Sequence, residues 1–209
     1  MLKRVGSGKV GKEISKKASI VLIVIAFIMG FVLGYFLKDT KTIERHEFEI
    51  GENILLNSGF EDKIEDSPAY WYRAMIPADN LTMSWDNEVA YNGSRSVSIN
   101  NTHIYDEVVC NNWAQTIDIV PLDKIIELSG WVKTIDAESV VMVIQCWDEN
   151  YNLVGFGSTQ SETNITGTND WAQYTASVKV PTETVFIIVR LVLTGTGQVW
   201  FDDVTLVVK

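Results

Sequence analysis

An all-β sandwich carried behind a single membrane-spanning helix is the fold class this sequence predicts, and three features predict it. Short runs of alternating or wholly apolar residues recur between turn residues along most of the chain. Beyond residue 53 no helical periodicity of useful length interrupts them. Near the start, by contrast, lies "ASIVLIVIAFIMGFVLGYFL", Ala18 to Leu37, 20 residues without a charged group.

Taken in order, residues 1–17 hold six basic residues against one acidic and form a basic stub. Residues 18–37 follow, and at 1.5 Å per residue a helix of that length covers a hydrocarbon core of about 30 Å. A cleavable signal peptide normally has a shorter apolar stretch and a small-residue cleavage site, and "GYFLKDT" offers none. The run therefore reads as an uncleaved signal-anchor. Positive charge before it keeps the N-terminus cytoplasmic and places residues 38–209 outside, in a single-pass cell-membrane protein. Gly30 and Gly34 have the spacing that lets two such helices approach.

Residues 38–52 read as a polar, mixed-charge tether, and 53–209 as the folded domain. From Lys38 onward the chain has 11 basic and 26 acidic residues, so the exported part is acidic and has no basic stripe. That excludes nucleic acid as the expected partner, since phosphate binding needs clustered Lys and Arg. Cys110 and Cys146 could join in a disulfide outside the cell, or Cys146 could pack as a small apolar group in a strand. They do not supply a zinc site.

Within the domain, "RSVSIN", "AQTIDIV", "IIELSGWVK", "SVVMVIQCW", "AQYTASVKV", "TVFIIVRLVL" and "VWFDDVTLVV" read as strands, and "DENYNLVG" as a hairpin turn. About eight to ten strands at this spacing make a β-sandwich. The blocks "NILLNSGFED", "NGSRSVSI", "NWAQTIDIVP", "IELSGWVKT" and "VWFDDVTLV" occur in an order and spacing that resembles the CenC-like carbohydrate-binding modules of families four and nine. The resemblance covers about residues 53–208. It implies a jelly-roll sandwich of the galactose-binding-like type, of a kind often appended to polysaccharide-degrading enzymes.

Asp202 and Asp203 sit inside a run of strand-forming residues, where a carboxylate is costly. Period-two alternation with Val204 and Leu206 turns Asp202 toward the core and Asp203 away. The resembled modules bind a structural calcium with the matching Glu and Asp plus backbone carbonyls. The resemblance therefore implies calcium held by Glu61 and Asp202 with carbonyls of Gly93 and Ser94, and hard oxygen ligands suit that ion. The alternative is an acid pair capped by backbone N–H groups near Arg95.

Strand phase also marks a ligand surface. Val140, Met142, Ile144 and Cys146 form one apolar face, leaving Gln145 and Trp147 opposite. Ile126, Leu128 and Val132 oppose Trp131, and Val185 through Leu193 oppose Phe186, Ile188 and Arg190. Sugars bind faces that mix flat rings with planar polar groups, because C–H faces stack on rings while hydroxyls take hydrogen bonds. Trp131, Gln145, Trp147 and Arg190 form the expected glycan-binding set, joined by Trp113 and Gln115 and with Trp71 and Tyr72 as further candidates. Trp171 reads as strand-edge packing.

No G-x-S-x-G, H-E-x-x-H or Gly-rich phosphate loop is present, and His46 and His103 lie in polar segments, so no catalytic role is expected. The sequence thus points to a membrane-anchored, extracytoplasmic carbohydrate-binding module. The competing reading is a cell-envelope scaffold or adhesion module that uses the same sandwich to bind a protein partner.

Overall fold

The structure, a computed structural model, describes residues 46–209; the basic stub, the spanning segment 18–37 and residues 38–45 of the tether lie outside the described residues. The strands are β1 (Lys63–Ile64), β2 (Ser67–Pro68), β3 (Tyr72–Ala74), β4 (Leu81–Asp86), β5 (Ser96–Asn101), β6 (Cys110–Ile117), β7 (Ile125–Trp147), β8 (Leu153–Ser158), β9 (Ile165–Lys179), β10 (Phe186–Thr194) and β11 (Gly197–Val208). β1 and β2 form a small hairpin, and the other nine form one antiparallel sheet in the order β3-β6-β10-β7-β11-β5-β4, with β8 and β9 also pairing β7.

β7, 23 residues long, turns this sheet into a sandwich. The sequence predicts two strands here, "IIELSGWVK" and "SVVMVIQCW"; the structure has one. Its first half pairs β11 and β9, and its second half pairs β10 and β8. Register shifts between Val132 and Val140 on the β9 side, together with a left-handed Asp136 (φ 46°), bend the strand between the halves. The chain therefore folds over itself into two layers, β4-β5-β11-β7-β9 and β3-β6-β10-β7-β8. A Cβ added at Gly130 in the first half would lie 3.0 Å from Met142 Sδ in the second, so the two halves face each other across the core.

The even-numbered residues Ile126, Leu128, Val132, Val140, Met142, Ile144 and Cys146 all point into that core and are buried. They meet Ile187, Val189, Leu191 and Leu193 of β10 and Val199, Phe201, Val204 and Leu206 of β11. Each such side chain contributes about 1.5–3 kcal/mol on transfer from water. Cys146, also buried, is a free thiol, as is exposed Cys110, so neither forms a disulfide. Burial pushes the Cys146 thiol up to about 11, against a smaller opposing effect of nearby Thr184.

The domain starts earlier than residue 53. Gly51 N donates to Val208 O (2.8 Å), Val208 N to Glu52 O (3.0 Å) and Ile54 N to Leu206 O (2.9 Å), so the end of the expected tether lies against the last strand. Asn53 Oδ1 accepts from both Leu55 N and Leu206 N and fixes that register.

Candidate functional site

The outward face of the second layer collects Gln145 and Trp147 from β7, Arg190 from β10 and Asn112 from β6. Cross-strand register does this: Arg190 lies opposite Val143 and Ala114, Gln145 opposite Ile188, and Trp147 opposite Phe186. At the middle of the face Ala114, Val143 and Asn112 are buried, while Tyr72 on edge strand β3 and Phe156 on edge strand β8 are exposed, the pattern of a groove with aromatic edges. Tyr72 OH lies 3.2 Å from Thr116 Oγ1 on the same face. The Trp147 and Phe186 rings are parallel within 9° at 6.4 Å, and Tyr151 meets Phe186 edge-on at 5.7 Å.

A short polar chain crosses the groove. Arg190 Nε donates to Gln145 Oε1 (2.9 Å) and Arg190 Nη1 to Asn112 Oδ1 (2.9 Å). Asn112 in turn donates to Cys110 O and Ala74 O. Trp147 Nε1, also buried, has no partner among the described residues. Flat rings beside the remaining guanidinium and amide N–H groups of Arg190 and Gln145 suit a sugar, whose C–H faces and hydroxyl oxygens need both.

Gln145, Trp147 and Arg190 are thus brought together as expected, and three expected members are not. Trp131 shares their strand phase but sits in the first half of β7, so it belongs to the outward face of the other layer. There it stacks on Tyr91 (3.8 Å, 11°), and Tyr91 meets Trp171 edge-on. Trp113 and Gln115 face the core. Trp113 is fully buried and donates from Nε1 to Ser98 O (3.1 Å). The Gln115 amide makes paired hydrogen bonds to Leu56 N and O, both 2.9 Å, and so holds the N-terminal segment on β6. Trp71 is buried with its indole on Asn57 O. Asn112 and Phe156 are groove residues that the sequence reading missed. Asn112 is concealed in a polar run, and the β8 partner of Gln145 is identifiable only once strands are paired.

The aspartate pair is arranged otherwise than period two predicts. A bulge between Asp202 and Thr205, with Asp203 at φ 45°, reverses the phase. Asp202 therefore shares a face with Trp200 and Trp131, opposite core residue Phe201, yet it is fully buried. The loop after β4 covers it: Oδ2 accepts from Tyr91 N (2.7 Å) and Asn92 N (3.0 Å), and Oδ1 from Asp203 N (2.7 Å). Burial pushes its carboxyl above the usual range and these N–H donors pull against that, while the charge of Asp203 adds to the rise. Glu61 Oε1 accepts from Ser94 N (2.8 Å) and Arg95 N (3.0 Å), and Oε2 from Ser94 Oγ (2.7 Å). Burial would raise its carboxyl, but the Ser94 and Arg95 donors together hold it below its ordinary value.

Three carboxylates thus surround one turn, none of them in a salt bridge among the described residues. Gly93 is left-handed (φ 64°), and a Cβ there would collide with Glu61 Oε1, so the turn is shaped around that carboxylate. Among the described residues no three Asp, Glu, His or Cys side chains gather as a ready metal cluster. Both oxygens of Glu61 and both of Asp202 are engaged by hydrogen-bond donors, and Asp203 Oδ2 accepts from Asn92 Nδ2 (3.2 Å). Asp202, fully buried, supports the turn from beneath, whereas Glu61 and Asp203 lie at its exposed side.

No family model and no curated protein matches the chain. Solved structures do. An enzymatically active domain of tailspike protein 4 from bacteriophage CBA120 is 17% identical with a TM-score of 0.58, over 75% of this chain and 21% of that one. The CBM22-1 xylan-binding domain from Paenibacillus barcinonensis Xyn10C is 14% identical, TM-score 0.56, over 78% of this chain and 97% of that domain. TmCBM61, solved in complex with beta-1,4-galactotriose, is 18% identical, TM-score 0.50, over 76% and 99%. This chain spans about a fifth of the tailspike chain's length. At such identities the likeness is one of fold, shared with two carbohydrate-binding modules and with a tailspike domain.

Proposed function

We propose that the chain is a non-catalytic carbohydrate-binding module held outside the cytoplasmic membrane by residues 18–37, and that it binds poly- or oligosaccharide in the groove of the second layer. The observation that carries this reading is the convergence of Trp147, Gln145 and Arg190 on one sheet face, with guanidinium and amide N–H groups beyond those in their mutual hydrogen bonds. The fold neighbours support it: two are modules matched over nearly their whole length, one named for xylan and the other solved with a galactotriose. Glu61, Asp203 and the carbonyls of Gly93 and Ser94 are the proposed holders of a structural calcium. The ion would neutralise the carboxylates around that turn.

The test is a glycan-array screen of the full-length chain, recovered in mild detergent from carbonate-washed membranes. Presence in that fraction is expected of an integral anchor, and loss to the wash overturns it. A defined set of bound glycans is expected. Trp147→Ala should remove the binding, by more than tenfold in affinity, with little change in melting temperature, because the ring is only partly buried. Unchanged binding by that variant would place the sugar elsewhere.

A further inference from the structure

Resting on the glycan-binding reading, we infer that the groove selects an acidic sugar, a uronate whose carboxylate is received by Arg190. The residues around Arg190 leave its charge without a counter-ion. Its two hydrogen-bond partners, Gln145 Oε1 and Asn112 Oδ1, are neutral amide oxygens. The salt bridges among the described residues, Lys133–Asp170, Lys179–Asp123 and Lys209–Glu127, do not include it. A half-buried cation is ordinarily paired with an anion, since desolvation without compensation is costly.

Hydrogen-bond chemistry sets the sign of what is missing. A guanidinium has five N–H donors and no acceptor, so the amide oxygens of Gln145 and Asn112 must both turn toward it. Gln145 then has its N–H groups left over, and Asn112 spends its own on backbone carbonyls. The unused groups of Arg190 and Gln145 are all donors, so the ligand must supply acceptors. A neutral hydroxyl could satisfy the amide. The carboxylate of a uronate, unlike a neutral hydroxyl, offers two coplanar oxygens and a negative charge to the guanidinium fork.

The chain as a whole carries −10 and repels polyanions at long range, yet screening at physiological salt confines that repulsion to about 8 Å. Inside the groove the nearby guanidinium outweighs it. Trp147 lies beside Phe186, four residues along β10 from Arg190, which is about 13 Å at strand rise. The stacked sugar and the uronate are therefore different residues of one oligosaccharide.

The experiment compares binding of the full-length chain to polygalacturonate and to glucuronoxylan with binding to the same polymers after carboxyl reduction, which leaves them neutral. At least one acidic polymer should bind ten times or more tighter than its reduced form, with the difference shrinking at high salt. Arg190→Gln should abolish the difference between an acidic polymer and its reduced form, whatever it does to the affinity for both, and Arg190→Lys should restore part of that difference. Equal binding of an acidic polymer and its reduced form overturns the uronate assignment and leaves the glycan groove standing. Binding to no polymer, acidic or neutral, overturns both. The polymer comparison uses the unmutated chain, so it holds even if a variant misfolds.

Discussion

At the residue scale, Asp202 shows how a costly group becomes useful. Its carboxylate holds three backbone N–H groups in a fully buried site and thereby ties the Tyr91–Asn92 loop to the last strand. Asp202→Ala leaves those donors unpaired, and the chain should lose about 3 kcal/mol, read as a lowered denaturant midpoint. The pH dependence follows from the directions of the shifts. Glu61 and Asp86 are held low: burial opposes the shift in both, and it is outweighed by the Ser94 and Arg95 donors for Glu61 and by the Glu88, Trp200 and Val89 donors for Asp86. Their contribution is present above the ordinary carboxylate range and is lost as pH falls through their lowered values. Asp202 is raised, so its contribution runs the other way, fullest in acid and diminished as pH rises through its raised value. The melting temperature of the unmutated chain should fall on acidification, and that of Asp202→Ala should fall more steeply. Parallel curves would contradict the raised Asp202 carboxyl.

At the scale of elements, β7 decides both what the sequence revealed and what it concealed. Alternation in "SVVMVIQCW" and "TVFIIVRLVL" separated the core face from the opposite face that carries Gln145, Trp147 and Arg190, because period two is a local property; Val185 alone departs, exposed just before β10 begins. Partnership between strands is not local. Trp131 has the same phase as Gln145, yet the bend near Asp136 carries the two onto opposite outward faces of the sandwich. The bulge after Asp202 inverted an otherwise sound phase argument. Trp113 and Gln115 lie in "NWAQTIDIV", whose polar residues alternate on both faces, so its orientation needed β10 and β3 as partners. The fold-over of β7 is itself testable at Gly130, where a Cβ would lie 3.0 Å from Met142 Sδ and 3.1 Å from Val204 Cγ2. Gly130→Val overfills that contact and should cost about 2–3 kcal/mol. Adding Met142→Ala should recover part of the loss, and strictly additive effects would mean that the two halves of β7 do not meet there.

At the scale of the whole molecule, the two ends of the domain meet at the acidic turn. Glu61 comes from the first segment, the Asn92–Ser94 turn from the connection between β4 and β5, and Asp203 from the last strand. A cation shared by Glu61, Asp203 and that turn would exist only in the folded chain. It would add stability of RT ln(1 + [L]/Kd), about 2.7 kcal/mol at a hundredfold excess over Kd. For a domain of this size each kcal/mol moves the melting temperature by about 2–4 °C, so chelation should lower it by about 5–10 °C. The two aspartates separate the roles. Asp203→Asn removes a charged oxygen from the proposed ion while leaving the Asp202 hydrogen bonds in place, so it should remove the response to chelation at little cost to the chelated protein. Asp202→Ala, which undermines the turn, should lower both melting curves and keep a gap between them. Coincident curves with calcium and with EDTA for the unmutated chain would rule out the ion, and backbone N–H groups together with the Ser94 hydroxyl would then hold Glu61 and Asp202.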